Sequence, residues 1–327
     1  MTNNDVRLKQ LEDWLRQSGK KDYEIRPASD DASFRRYFRI SHNNKSFIVM
    51  DAPPDKEDSR PFVGLARAFL KVGLNVPQVL EQDQEQGFLL LTDFGDRQYL
   101  DVLNDENVGR LYGDAMGALL VLQVCGDLHY PLPSYDEKCL MAEMKLFRDW
   151  LLVRHHGIEL SRAEQDMLDN AFTFLCRSAV EQPQVPVHRD YHSRNLMVLE
   201  SHNPGILDFQ DAVTGPVTYD LVSLLRDCYI EWPRKQTEEW VTGYYDLAMQ
   251  SGILREQTER QFIRWFDLMG VQRHLKAAGI FARLNYRDNK PGYMRDVPRT
   301  VGYIIDVSGR YPELEGLHRF ITGKLDF

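Results

Sequence analysis

Hydrophobic residues at helical spacing open the chain and then give way to alternating spacing. Within 6–18 the apolar residues lie three or four positions apart, and Gly19 follows. This pattern predicts an amphipathic helix that ends at a glycine cap. Between residues 31 and 49, Phe34, Phe38 and Ile40 fall at even spacing, and the polar segment 41–45 separates them from the apolar run 47–49. Such alternation is typical of a β-hairpin.

A second helix and a second strand pair are predicted next. Pro61 stands where a first helical position is expected, and an apolar stripe continues from it to Gly73. The short apolar runs 76–80 and 88–91 flank a polar segment, which predicts two more strands. Together these elements predict a small antiparallel sheet with one inserted helix, forming an N-terminal lobe of residues 1–96.

Helical patterns dominate the remainder, 97–327. The exception is 185–209, where short apolar runs alternate with polar turns, as expected for small strands that hold a functional loop. The fold class is therefore α+β, with a sheet-rich first lobe and a mostly helical second lobe. The predicted helices are 104–125, 136–154, 161–180, 218–230, 235–250 and 257–285, with a helix end and a turn in the tail 302–316.

Composition and charge narrow the possible partners. The 327 residues carry 40 lysines and arginines against 49 aspartates and glutamates, a net charge of −9 that disfavours nucleic acid and anionic membranes as partners. Four cysteines without a CxxC pair indicate reduced thiols, and no apolar run is long enough for a membrane span. The polar N-terminus does not resemble a secretory signal. We therefore expect a cytoplasmic protein, whose oligomeric state the sequence does not indicate.

The strongest chemical signal is a three-part motif. His188-Arg189-Asp190 is followed five positions after the aspartate by Asn195, and 13 positions further by Asp208. Phosphoryl transfer requires a carboxylate to orient and deprotonate the attacking hydroxyl, together with an amide oxygen and a second carboxylate to hold Mg²⁺ on the nucleotide phosphates. Asp190 is therefore the candidate base, and Asn195 and Asp208 are the candidate metal ligands.

The segments HRDYHSRN and ILDFQDAVTGPVTYDL resemble the aminoglycoside phosphotransferase and choline kinase group, relatives of protein kinases. The strings DASFRRYFRI, LLLTDFGDR and MGVQRHLKAAGIFARL are most similar to the bacterial anomeric kinases of cell-wall recycling, which phosphorylate N-acetylmuramate and N-acetylglucosamine at C1. The resemblance implies a protein-kinase-like bilobal fold, an ATP and Mg²⁺ requirement, an amino-sugar substrate and an enzyme that transfers phosphate to an alcohol group.

The nucleotide side departs from the kinase pattern. Met50 stands where the third-strand lysine is expected, and the following predicted helix has no acidic residue to pair with such a lysine. Another cation is then needed to bind the nucleotide phosphates. Arg35 and Arg36 are the candidates, and the alternative is that they are solvated charges on an exposed strand face. Asp93-Phe94-Gly95 spells the kinase metal motif but precedes the catalytic loop. We therefore expect an inter-lobe linker there, whose backbone meets the adenine edge, at Leu90, Leu91, Thr92 and Asp93.

Supporting and acceptor-binding residues are less sharply indicated. Asp211 either supports the metal site or caps a turn, Asp220 is expected to anchor the catalytic loop, and His188 is expected to pack beneath it. In this fold the second lobe builds the acceptor site, where aromatic faces and cations suit a sugar acid. The candidates, each also compatible with a structural or solvated role, are Tyr191, His192, Arg226, Tyr229, Trp232, Arg273 and Lys276.

Two alternatives to a sugar 1-kinase remain open at this point. A kinase for an aminoglycoside or another amino alcohol would need an acidic cleft, for which Glu143, Asp149 and Glu231 are available. A nucleotide-binding pseudokinase is suggested by the missing lysine, although all three motif residues of the site are present. The preferred sugar and anomer do not follow from the sequence.

Overall fold

Two structural units divide the chain. The computed structural model describes residues 5–20, 22–29, 34–42, 45–125 and 128–325. Unit 1 comprises the described residues of 1–97, 128–130 and 197–210, and unit 2 comprises those of 98–127, 131–196 and 211–327.

Unit 1 is built on an antiparallel five-stranded sheet. The strand order is β1-β2-β3-β5-β4, and two helices accompany the sheet. The strands are β1 Glu24–Ser29, β2 Arg36–His42, β3 Lys45–Asp51, β4 Val79–Asp83 and β5 Phe88–Thr92, and the helices are α1 Val6–Gln17 and α2 Arg60–Lys71.

The core of unit 1 forms where α1 covers the sheet. Leu11, Trp14 and Leu15 are buried on the helix and belong to one apolar cluster with Val49 and Leu90 of the central strands. The predicted helix at 6–18 and the helix near 61–73 are confirmed, and the hairpin predicted over 31–49 is found as the pairing of 36–42 with 45–51. Residues 31–33 and 43–44 of the predicted hairpin lie outside the described residues.

Two strand predictions differ from the structure, and proline accounts for the first difference. The strand expected at 76–80 begins only at Val79, because Pro77 has no N–H to donate to a ladder. The edge strand β1 was not expected, since it contains Pro27 and charged residues. Proline is tolerated there because an edge strand has one unpaired side.

Unit 2 is mostly helical. Its helices pack around α9, a 30-residue helix that is buried on most of its faces. The helices are α3 Tyr99–Val102, α4 Val108–Val124, α5 Glu137–Leu146, α6 Arg162–Val180, α7 Tyr219–Leu225, α8 Arg234–Gln250, α9 Glu259–Asp288, α10 Val297–Ser308 and α11 Glu315–Lys324, with a π-helical segment Phe147–His155 and 3₁₀ turns Pro291–Asp296 and Pro312–Leu314.

Four short strands lie between residues 184 and 216; the first three confirm the small strands expected at 185–209, and the fourth lies beyond the predicted range. Strand β6, Gln184–Val187, pairs with β9, Val213–Pro216, and strand β7, Leu196–Met197, pairs with β8, Gly205–Ile206. The catalytic-loop motif lies between β6 and β7.

The helix expected over 136–154 changes character midway. It is α-helical to Leu146 and π-helical from Phe147, where Gly279 of α9 approaches its backbone so closely that a Cβ would lie 2.3 Å from the Leu146 carbonyl carbon. Only glycine permits this approach. The tail contains one more helix, α11, than its sequence pattern predicted. Among the described residues, no helix is long and apolar enough to cross a membrane.

Candidate active site

Asp220 of α7 anchors the loop that follows β6 by hydrogen bonds. Its fully buried carboxylate accepts the backbone N–H groups of His188 and Arg189 at 2.6 and 2.9 Å. Arg189 has a φ of +79°, a conformation that non-glycine residues seldom adopt and that needs support from its surroundings. Burial raises the pKa of Asp220 to about 6, against the opposing effect of His188 and the two backbone hydrogen bonds.

We expect Asp220→Ala to lower the free energy of unfolding by about 3 kcal/mol, since the backbone N–H groups of His188 and Arg189 would lose the buried carboxylate that accepts from them. Denaturant unfolding measures the change. The control Asp149→Ala removes an exposed carboxylate paired with its neighbour Arg148, and it should stay within about 0.5 kcal/mol of wild type. Equal stability of both variants would contradict the anchoring role.

Asp190 lies at the centre of a cationic environment within unit 2. Burial by itself raises the pKa of Asp190, but the charges of Lys276, His192, Arg273 and Arg189 outweigh burial and hold that pKa below its usual range. The carboxylate is therefore ionised at neutral pH and available as a proton acceptor. Burial lowers the pKa of His192 to about 4, so the positive charge near Asp190 at neutral pH comes from the lysine and the arginines.

Glu143 organises two of these cations. It pairs with Arg189 at 2.5 Å and lies 3.8 Å from the Lys276 ammonium, which also donates to the Tyr219 hydroxyl at 3.0 Å. The Tyr135 hydroxyl donates to Glu143 as well. Arg273 donates to Ser223 Oγ at 2.6 Å. This network stabilises buried charges that would otherwise be costly, and those charges act on the Asp190 carboxylate.

Asn195 closes the turn that begins at Asp190. Its side-chain Nδ2 donates to the Asp190 carbonyl at 2.9 Å, while its backbone N–H donates to the His192 carbonyl at 2.9 Å. These bonds fix the donor end of the amide toward the loop. The Asn195 side chain is thereby held in one orientation relative to Asp190.

Asp227 was missed by the sequence analysis, although it ties the loop to the segment after α7. Its carboxylate accepts the backbone N–H and hydroxyl of Ser193 at 2.9 and 2.6 Å, and also the backbone N–H of Tyr229 at 2.8 Å. Asp227 has no motif of its own in RDCYIEW. Its role depends on a partner 34 residues away, which no local pattern reveals.

Asp208 lies in unit 1 at a left-handed backbone position, with φ of +61°. Aspartate adopts this region more readily than most residues. Gln210 Nε2 donates to its Oδ1 at 2.7 Å. Phe209, next in sequence, is buried against Phe62 and Phe69 of α2, and this packing anchors the chain beside Asp208. Asp211 belongs to unit 2 and is exposed.

The candidate nucleotide residues all lie in unit 1. Arg35 pairs with Glu57 at 3.1 Å, and Arg36 donates to the buried Asp51 carboxylate at 3.0 Å. Leu90 and Leu91 are buried in β5, whereas Thr92 Oγ1 accepts the backbone N–H of Gln78 at 2.9 Å.

The Asp93 carboxylate is hydrogen-bonded to residues of unit 1. It accepts two hydrogen bonds from Arg39, at 2.6 and 3.0 Å, and one from the Gly95 backbone N–H at 2.9 Å. Met50, in the position of the absent lysine, is fully buried.

The acceptor candidates divide into two sets within unit 2. The charges of Arg273 and Lys276 lower the pKa of Asp190, and the neutral His192 ring packs edge-on against Tyr229 with centroids 5.2 Å apart. These residues surround the catalytic loop. The polar groups of the other candidates are engaged by neighbouring residues: Tyr191 Oη donates to the Ala115 carbonyl, Arg226 pairs with Asp267, and Trp232 Nε1 donates to Tyr112 Oη.

The donor chemistry suits magnesium. Among the described residues, no three histidine, cysteine, aspartate or glutamate side chains converge as a metal cage. A nucleotide-bound Mg²⁺ does not need such a cage, since it is typically held by one or two protein oxygens and the substrate phosphates. The amide oxygen of Asn195 and the carboxylate of Asp208 are hard oxygen donors of the required type.

An antiparallel sheet unit, a helical unit and an HxDxxxxN loop define a phosphotransferase of the protein-kinase-like class. The chain belongs to the phosphotransferase enzyme family, whose model matches residues 24–263. The resemblance seen in the motifs is thereby confirmed, and the protein is a phosphotransferase enzyme.

Several relatives match nearly the whole chain. An N-acetylmuramate/N-acetylglucosamine kinase of Pseudomonas aeruginosa is 46% identical, over 98% of this chain and 97% of the relative. Proteins of the same name from Pseudomonas putida and Neisseria meningitidis are 44% and 39% identical, covering 98% and 95% of this chain and 98% and 94% of the relatives.

Solved structures support the fold. The choline kinase LicA from Streptococcus pneumoniae has a TM-score of 0.63 at 11% identity, covering 91% of this chain and 99% of that chain. The gentamicin complex of APH(2″)-IIa has a TM-score of 0.61 at 16% identity, covering 92% and 97%. The predicted bilobal α+β class with a protein-kinase-like fold is confirmed.

Proposed function

We propose that this protein is an ATP-dependent sugar kinase that phosphorylates the anomeric hydroxyl of N-acetylmuramate and N-acetylglucosamine in peptidoglycan recycling. The names of relatives that are 39 to 46% identical over nearly the full length support this substrate class. The observation that carries the proposal is the cationic surrounding of the ionised Asp190, since it suits an acceptor that is neutral or negatively charged.

Asp190 orients the attacking hydroxyl and takes its proton as the bond from O1 to the γ-phosphorus of ATP forms and the bond from that phosphorus to the β–γ bridging oxygen breaks, releasing ADP. The anomeric hydroxyl loses its proton more readily than other sugar hydroxyls, so a carboxylate with a low pKa is a sufficient base. The Asp220 and Asp227 bonds to the loop hold this carboxylate in place before the substrate arrives.

Asn195 and Asp208 are the proposed magnesium ligands, on the chemistry of their oxygens. When bound, the metal neutralises charge on the transferring phosphates. For the nucleotide, the backbone of Leu90 to Asp93 is the proposed adenine contact. Arg35 and Arg36 are the proposed phosphate cations, which would exchange their present carboxylate partners for phosphate.

An aminoglycoside acceptor is disfavoured by charge. Glu143 is already paired with Arg189 and Lys276, and Asp149 and Glu231 are exposed. A polycationic acceptor at Asp190 would be repelled by Lys276, Arg273 and Arg189. The presence of Asp190, Asn195 and Asp208 together also favours an active enzyme over a pseudokinase.

The reducing sugars are expected to be substrates, whereas their 1-O-methyl glycosides are not. A methyl group on O1 removes both the nucleophile and the transferable proton. ADP release measured with N-acetylglucosamine and with its methyl glycoside tests the proposal. As a control, a reaction that contains both compounds should still release ADP, which shows that the glycoside does not inactivate the enzyme. Phosphate transfer to the glycoside would mean that a different hydroxyl reacts.

A further inference from the structure

Arg194 is a cation on the catalytic loop that the mechanism does not use. It lies four positions after Asp190 and is partly buried. Its guanidinium lies over the ring of Tyr229, 4.6 Å from the centroid, and 5.5 Å from the centroid of Tyr293. Two aromatic rings therefore orient the planar guanidinium, one of whose donors interacts with the Tyr229 hydroxyl while its other N–H groups can bind a ligand.

The surroundings of Arg194 are rigidly built. Asp227 holds the preceding Ser193 and the backbone of Tyr229 at once. Tyr293 is stacked on Phe281 of α9, with ring centroids 5.7 Å apart and planes inclined by 19°. The loop and both aromatic rings are thus fixed by independent contacts, which is the preorganisation expected of a recognition group.

Arg194 lacks a carboxylate partner among the described residues, whereas three of the other cations near the loop have one. Arg189 and Lys276 share Glu143 as an ion-pair partner, and Arg226 is paired with Asp267. Within the part of the chain that the structure describes, no ion pair includes Arg194. The nearby acid Asp296 pairs instead at 3.4 Å with Arg299 and at 3.7 Å with Arg295.

Arg273, the remaining cation, is buried beneath the site, where it donates to Ser223 Oγ and Cys228 Sγ. Buried cations with protein partners are suited to lowering the pKa of Asp190. An oriented cation without a carboxylate partner is suited to binding the anionic group of a ligand.

We propose that Arg194 recognises the lactyl carboxylate of N-acetylmuramate, and so determines the preference between the two sugars. This inference rests on the proposed function. N-acetylglucosamine lacks the lactyl group but is otherwise the same sugar at O1. A bidentate guanidinium–carboxylate pair forms with one substrate and not with the other, because only one substrate carries the acid.

The test compares Arg194→Gln with wild type on both sugars. The KM for N-acetylmuramate should rise about tenfold or more, the amount expected for loss of a charge-assisted pair, while kcat/KM for N-acetylglucosamine should change less than about twofold. Arg194→Lys keeps the positive charge but loses the planar guanidinium, so its KM for N-acetylmuramate should lie between those of wild type and Arg194→Gln. Arg162→Gln removes an exposed arginine of α6 from the same unit and should alter neither sugar.

A second measurement changes the ligand and compares the acid with its amide. Wild type should bind the lactyl amide of N-acetylmuramate at least about tenfold more weakly than the acid, and Arg194→Gln should no longer distinguish them. The assignment would be overturned if Arg194→Gln changed the kinetics of both sugars equally or raised only the KM of ATP. It would also be overturned if this variant still bound the acid more tightly than the amide to the wild-type extent. Failure of wild type to phosphorylate N-acetylglucosamine would instead refute the proposed function itself.

Discussion

Asp190→Asn should lower kcat by a factor of about 10² or more while the fold is retained. The substitution keeps the shape of the side chain but removes the group that accepts the hydroxyl proton. The neighbouring cations keep other partners, Lys276 with Glu143 and Arg273 with Ser223. The free energy of unfolding should therefore fall by only about 1 kcal/mol. Steady-state kinetics and denaturant unfolding measure the two quantities separately.

Asp149→Asn is the matched control for this substitution. It changes an exposed aspartate of the same unit, outside the loop. Its kcat should equal that of wild type. Turnover of Asp190→Asn near the wild-type rate would show that the base is another residue.

Asp208→Asn should abolish magnesium-dependent turnover, whereas Asp93→Asn should retain it per folded molecule. Asparagine tolerates the left-handed backbone at Asp208, so the variant tests the loss of charge without adding strain. At Asp93 the substitution breaks a bidentate pair with Arg39 and should cost about 2 kcal/mol of stability. The comparison separates a metal ligand from a structural carboxylate in the same unit.

The measurement for this pair is initial rate against magnesium concentration at saturating ATP, normalised to folded protein. Titration of Asp208→Asn with Mn²⁺ adds a control, since a more strongly bound metal should recover part of the rate if the residue is a ligand. Full activity of Asp208→Asn combined with an inactive, folded Asp93→Asn would reverse the assignment of the two motifs.

Local patterns predicted the elements of unit 1 that have one buried face. Strands β2, β3 and β5 and helix α2 carry regular apolar spacing, and the structure contains all of them. Edge strand β1 escaped prediction because Glu24, Arg26 and Pro27 obscure any alternation. The π-helical segment after Leu146 was not predicted either; it begins where Gly279, from a helix far along the chain, closely approaches the backbone.

The placement of residues 197–210 in unit 1 is also a tertiary effect. The Ile206 N–H donates to the Asn75 carbonyl at 2.8 Å, and the Asn75 side chain donates to the His202 carbonyl at 2.8 Å. These bonds connect residues more than 120 positions apart. Periodicity within a short window contains no information about such contacts.

The candidate site shows the same division. Asp190, Asn195 and Asp208 could be selected from sequence because phosphoryl transfer requires those groups at characteristic spacing. The residues that position them could be identified from the sequence only in part. Asp220 was expected as an anchor, whereas the contacts of Asp227 and of the stacked Arg194 depend on the packing of separate segments. The metal and nucleotide assignments stay predictions.

The site of phosphorylation is tested most directly by proton-coupled ³¹P NMR of the product formed from N-acetylglucosamine and ATP. If Asp190 activates the anomeric hydroxyl, the sugar-phosphate signal couples to the single proton H1, and its intensity grows with ADP. A signal coupled to the two H6 protons, or ADP release without any sugar phosphate, would contradict the account.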